Sequence, residues 1–141
     1  MACATRQIRI HDNNEMDVAA QIAYWRDSAL EDWVVAKELV ANKHVRHGLF
    51  FLHLTLEKAV KAHVAKVTLD APPKIHNLLR LAELASLHIT AEQRDLLAEA
   101  NRFSLVGRYP ESVMPRLPDE SELQDLLKHS DEVLTWLIQP L

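Results

Sequence analysis

"LFFLHLTLEKAVKAHV", residues 49–64, decides the fold: it is long, has no Gly or Pro, and is apolar at helical spacing. At about 100° per residue from Glu57, Phe50 falls near +20°, His53 near -40°, Lys61 near +40° and Val64 near -20°, with Leu54 and Val60 flanking. Three ionisable side chains therefore lie inside the apolar face, while Thr55, Ala59, Ala62 and Lys66 fall opposite and are expected to meet solvent. A charge in a core is costly, so the stripe must pair internally, open into a cleft or meet a second subunit. Glu57 preceding Lys61 by four residues is the favourable helical order for an ion pair.

Working outward, the 141 residues, 48% of them hydrophobic, suit one domain with a substantial core. Only 2 Gly and 6% aromatic residues leave little of the turn chemistry a sheet requires, so an all-α fold is expected. The net charge of -4 supplies no global attraction to nucleic acid or anionic lipid. A lone Cys3 rules out an internal disulfide framework and fits a reducing cytoplasm. "MACATRQIRI" lacks the apolar run of a signal peptide, and the apolar run from His47 to Leu56 is too short for a bilayer, so no membrane association is expected.

Residues 1–15 carry the polar cluster "HDNNE" and no sustained period, which predicts a flexible tail before a single helical domain over 16–141. Val18, Ile22, Trp25, Ala29, Trp33, Ala36 and Val40 then share one face of a first helix. "NKHVRHG" interrupts it, with Gly48 marking a boundary, and helix 2 runs from about 46–48 to Leu69, where "DAPPK" stops it. A short third helix is expected in "IHNLLRLAELASL". Thr90 and Gln93 have the spacing of a capping box for a fourth helix over 91–104. "GRYPESVMPRLP" has too many breakers for helix and predicts an ordered loop, and a last helix spans 120–138. Without repeats or linkers, these five elements predict an up-and-down antiparallel four-helix bundle with one additional short helix.

On helix 1, Asp32 and Arg26 flank the apolar face and are placed to support the Glu57–Lys61 pair if helices 1 and 2 pack together. Trp25, Trp33 and Phe50, at helical spacing, are expected in the core. Eight His are present, but none pairs with a carboxylate in a recognised zinc arrangement, so no metal or other cofactor is expected.

"YWRDSALEDWVVAKEL", "LFFLHLTLEKAVKAH", "PPKIHNLLRLAEL" and "RYPE" occur in this order, and together they resemble the HEPN family, helical domains found in prokaryotes and in the chaperone sacsin. The resemblance spans roughly residues 20–137. It implies an antiparallel bundle, usually a homodimer, that binds nucleotides or RNA and often works beside a separate small nucleotidyltransferase in toxin–antitoxin or defence systems. Several members of the family are RNA-cleaving toxins with an Arg followed four to six residues later by His on a late helix. Here Arg102, Arg108 and Arg116 have no His at that spacing, and the two formal matches, Arg6 to His11 and Arg46 to His53, fall in the tail and at helix 2.

The resemblance therefore implies a binding site formed by His53, Glu57, Lys61, His76, Arg108 and Tyr109, supported by Asp32 and Arg26. Lys61 and the planar fork of Arg108 suit a phosphate, and Tyr109 suits a base or a hydrogen bond. If catalysis survives, His76 and Arg108 are its candidates. Each has a structural alternative: His76 as a cap or loop-fixing bond at the start of helix 3, Arg108 and Tyr109 as pins for the long loop.

Overall fold

The computed structural model describes residues 2–106, 108–109 and 116–141, with side chains described from Asp17 onward. Among the described residues there are five α-helices and no strand: α1 (Ala2–Ala41), α2 (Val45–Thr68), α3 (Leu78–Leu84), α4 (Ala91–Asn101) and α5 (Glu120–Ile138). A 3₁₀ turn, Arg102–Leu105, continues α4. The fold is thus all-α, four main helices with short α3 beside them. None of the helices is long and apolar enough, over the described residues, to cross a membrane.

Helix α1 begins within the stretch expected to be a tail. Residues 2–41 contain neither Gly nor Pro, so no residue there obliges the helix to stop. It ends in a reversal at Lys43, whose φ is 67°, where His44 N–H reaches back to the Leu39 carbonyl at 2.8 Å and Lys43 N–H to that of Val40 at 3.1 Å. Ser86 closes α3 in the same way. Helix α3 is shorter than "IHNLLRLAELASL", because Asn77 caps it and takes Leu79 and Arg80 amides on its side-chain oxygen. The Thr90–Gln93 capping box forms as expected, and a second, Asp119 with Glu122, starts α5. Most of the expected loop, residues 107 and 110–115, lies outside the described residues.

Helices α1 and α2 pack antiparallel: Gly48 lies against Ala36 and Val40, Lys58 reaches Ser28, and Lys61 reaches Trp25. Helix α5 runs with α2, since Trp33 Nε1–H donates to Asp131 at 3.0 Å near its middle while His63 Nε2–H donates to the Leu137 carbonyl at 2.7 Å near its end. The result places α2 at the centre. Thr55, Ala59 and Ala62, expected to face solvent, are fully buried, and of that set only Lys66 is exposed. Their small size lets neighbouring helices approach on that side, and the Thr55 hydroxyl is satisfied by the Phe51 carbonyl at 2.8 Å.

Gly48 is therefore more than a boundary signal. A Cβ there would stand 2.6 Å from Val40 Cγ2 and 3.1 Å from the Ala36 carbonyl oxygen. Leu69, by contrast, caps α2 with φ 58° and a mostly exposed side chain, a conformation that suits Gly better. Two substitutions should move stability in opposite directions. Gly48→Ala should lower it by about 1–2 kcal/mol, crowding outweighing the helix propensity gained, and Leu69→Gly should raise it by about 1 kcal/mol. Urea unfolding midpoints measure both, and a stabilised Gly48→Ala protein would contradict the close α1–α2 approach.

Candidate functional site

The expected stripe is buried: His53 is 1% exposed, Glu57 4% and Lys61 5%. Its partner comes from the segment between α2 and α3. His76 Nδ1–H donates to Glu57 Oε1 at 2.8 Å, while its carbonyl accepts from His53 Nε2–H at 3.0 Å. Glu57 Oε2 accepts from the Lys61 ammonium at a longer 3.4 Å. One carboxylate thus holds an imidazole with one oxygen and an ammonium with the other, and two residues of α2 grip the same residue, His76. The Lys61 ammonium also lies 5.4 Å from the centre of the Trp25 ring, so α1 supplies the remaining wall as a cation–π contact.

His76 is held from its other side as well. Asn77 caps α3, and Asn101, at the end of α4, takes the Leu78 amide at 2.8 Å and donates to the Asn77 side chain at 3.1 Å. The turn that presents His76 is thereby fixed by α2, α3 and α4 together. With Nδ1 committed to Glu57, Nε2 is the polar atom left on the His76 ring, and half of its side-chain surface faces solvent.

Arg108 is exposed, its guanidinium 5.5 Å from the centre of the Phe50 ring. It is near enough to His53 for its charge to disfavour protonation there. It forms no ion pair among the described residues. Tyr109 is 52% exposed and makes no hydrogen bond or ring contact with the cluster among the described residues. The structure therefore brings His53, Glu57, Lys61, His76 and Arg108 together, and leaves Tyr109 without a described link to them.

The two expected supports do not join this network. Asp32 lies at ion-pair distance, 2.7 Å, from Lys58, whose ammonium also donates to Ser28 at 2.8 Å. Arg26 pairs with its neighbour Asp27 at 2.9 Å. Lys58, one residue after Glu57 and about 100° round the helix, reaches α1 and takes Asp32. Trp25 and Phe50, expected in the core, are only half-buried, and each carries a cation on its face. Among the described residues no group of three or more His, Cys, Asp or Glu is placed to hold a metal ion.

Burial lowers the pKa of His53 from the ordinary value; Glu57 and the bond to the His76 carbonyl partly offset this, and the charge of Arg108 adds to it. Burial likewise lowers that of His63, against the favourable bond to the Leu137 carbonyl. Both imidazoles are neutral at neutral pH, consistent with His53 donating through Nε2 and leaving Nδ1 buried without a partner.

A helical bundle whose core encloses an interlocked carboxylate, ammonium and imidazole, with an arginine at its rim, is the class of protein these observations define. A HEPN domain model matches residues 22–140, and the chain belongs to the HEPN family. No curated protein and no solved structure matches it.

Removing one member of the buried pair should expose its cost. Glu57→Ala should lose about 3–5 kcal/mol, because Lys61 then remains buried and uncompensated, and adding Lys61→Met should recover part of that loss. A loss below about 1 kcal/mol would show the network to be marginal to stability. The two lowered imidazoles set a pH dependence of definite sign. The unfolded chain binds more protons than the folded one below the ordinary value of 6.5, so the contribution is complete above it and declines as pH falls beneath it. NMR titration should place His53 and His63 below 6.5, and His63→Asn should flatten the loss of stability between about pH 7 and pH 5.

Proposed function

We propose that this HEPN-family chain binds the phosphate of a nucleotide or of RNA through Arg108, at the rim of the cluster that His53, Glu57, Lys61 and His76 form. The observation that carries the reading is the state of Arg108: an exposed guanidinium over the Phe50 ring, beside a fixed polar cluster and without a carboxylate of its own among the described residues. A planar fork in that condition suits bidentate recognition of phosphate. Lys61, held by Glu57 and Trp25, adds positive potential from below rather than a direct contact. Phe50 and Tyr109 offer aromatic surface to a base.

On this reading the chain is a binding accessory domain, acting as a homodimer or with a separate small nucleotidyltransferase, as in the nucleotidyltransferase-associated and toxin–antitoxin branches of the family. Because His53, Glu57 and Lys61 are spent within one chain, a homodimer would use other surfaces than this stripe.

A second reading has its own support. Glu57 orients His76 as a buried carboxylate orients a catalytic imidazole, leaving Nε2 on a ring half open to solvent. A metal-independent ribonuclease would follow, with a residue set unlike the late-helix Arg and His of the family's toxins.

Arg108→Ala tests the first reading, since it removes an exposed side chain and should leave the melting temperature within about 2 °C. Affinity for ADP and for a hexameric oligoribonucleotide should fall about tenfold or more, measured by fluorescence anisotropy or calorimetry at low salt. Unchanged affinity, or no saturable binding by the parent protein, would overturn the proposal. Cleavage of the same oligonucleotide in chelator, abolished by His76→Ala, would establish the second reading.

A further inference from the structure

The register of the bundle carries the first turns of α1 past the helix they would pack on. Lys58 reaches Ser28 and Lys61 reaches Trp25, so Thr68, the last residue of α2, is level with about position 18 of α1. Residues 2–16 therefore extend beyond α2, the helix on which α1 chiefly packs. The core stripe that begins at Val18 continues into them only as polar Asn14, His11 and Gln7. A different face forms instead. Arg6, Arg9 and Ile10 lie within about 100° of one another, and the first acids, Asp12 and Glu15, fall about 110° or more from the centre of that face. A helical stretch of this length without packing is marginal in water, so the face needs a surface to meet.

A surface of matching chemistry lies elsewhere on the molecule. Between α4 and α5 runs a groove of about 750 Å³ with buried Leu96, Leu126 and Val133 on its floor. Six carboxylates line it, Glu99, Asp125 and Glu132 among them, against one imidazole, His129, and no lysine or arginine among the described residues. Of the six, only Glu122 has an ion pair among the described residues. Like charges gathered round an apolar trough repel one another, and a cationic helix with an apolar residue between its charges relieves that repulsion. The arm of the same chain does not reach the groove. His63 and Lys66 of α2 meet Leu137 and Pro140, each 74 positions on, which sets groove residues 122–133 level with about 48–59 of α2, whereas α1 leaves the bundle beyond Thr68. We infer that the groove takes the N-terminal arm of a second copy, with Arg6 and Arg9 among its carboxylates and Ile10 on its floor, and that two chains exchange arms reciprocally. The inference rests on the homodimer reading above, and it seats the dimer away from the buried His53, Glu57 and Lys61.

Sedimentation equilibrium of the full chain at low ionic strength, where such charges are least screened, tests the exchange. The parent protein should be a dimer. Arg6→Glu with Arg9→Glu, or Glu99→Lys with Asp125→Lys, should each raise the dissociation constant about tenfold or more, with circular dichroism verifying that the helices remain. Mixed in equal amounts, the two variants should regain the parent's affinity as heterodimers: an intact arm then meets an intact groove, and the reversed arm a reversed groove. Misfolding of either variant does not produce that recovery. A parent dimer that neither reversal weakens, that only one of them weakens, or whose variants stay apart on mixing overturns the arm exchange and leaves a homodimer formed through another surface. A parent that stays monomeric overturns the homodimer reading and the inference together, and leaves the phosphate site to its own test.

Discussion

The carboxylate of Glu57 is the constraint around which the bundle is arranged. It is almost wholly buried on the central helix, where an isolated charge would cost several kcal/mol after relaxation of its surroundings. Two donors offset that cost, Lys61 one turn along the same helix and His76 from another segment. The first is local and forms whenever α2 is helical. The second requires the chain after α2 to reverse and return, so the buried charge ties the path of residues 70–77 to the helix they follow.

That tie explains why the reversal is overdetermined. His53 holds the backbone of His76 while Glu57 holds its ring, and Asn77 and Asn101 secure the first turn of α3. Losing the His76 bond leaves the buried Glu57 carboxylate without one of its two donors, a penalty larger than the net gain from an ordinary hydrogen bond. The cluster is accordingly rigid in its floor and open at its rim: Glu57, Lys61 and His53 are inaccessible, whereas His76 and Arg108 meet solvent. A division of this kind suits recognition, because the groups that touch a ligand are oriented before it arrives.

How far the sequence exposed this arrangement depended on whether a residue's role was local. The burial of His53, Glu57 and Lys61 was legible from helical spacing alone, and so was the Thr90 cap, since both follow from residues a few positions apart. The solvent exposure expected of Thr55, Ala59 and Ala62 failed because small, weakly polar side chains carry little signal, and their burial depends on α2 being surrounded by other helices. Asp32, expected to support the network, meets Lys58 instead: Lys58 and Lys61 lie about 60° apart on α2, and only the packing of α1 decides between them. The close approach at Gly48 and the reach of Asn101 to α3 are tertiary facts with no local trace. Tyr109 entered through family resemblance, and the described geometry gives it no link to the cluster.

The network also bears on whether buried charge here serves stability or recognition. Replacing such a pair by apolar residues of equal volume is often neutral or stabilising, so stability alone is a weak reason for its presence. A Leu at 57 and a Met at 61 would fill the same space beside Trp25, but neither would hold the ring of His76. Without Glu57 the ring loses the bond that holds Nδ1 inward, and its orientation at the rim is no longer set. The carboxylate changes the chemistry of a surface that it does not itself reach, and that is a property packing cannot supply.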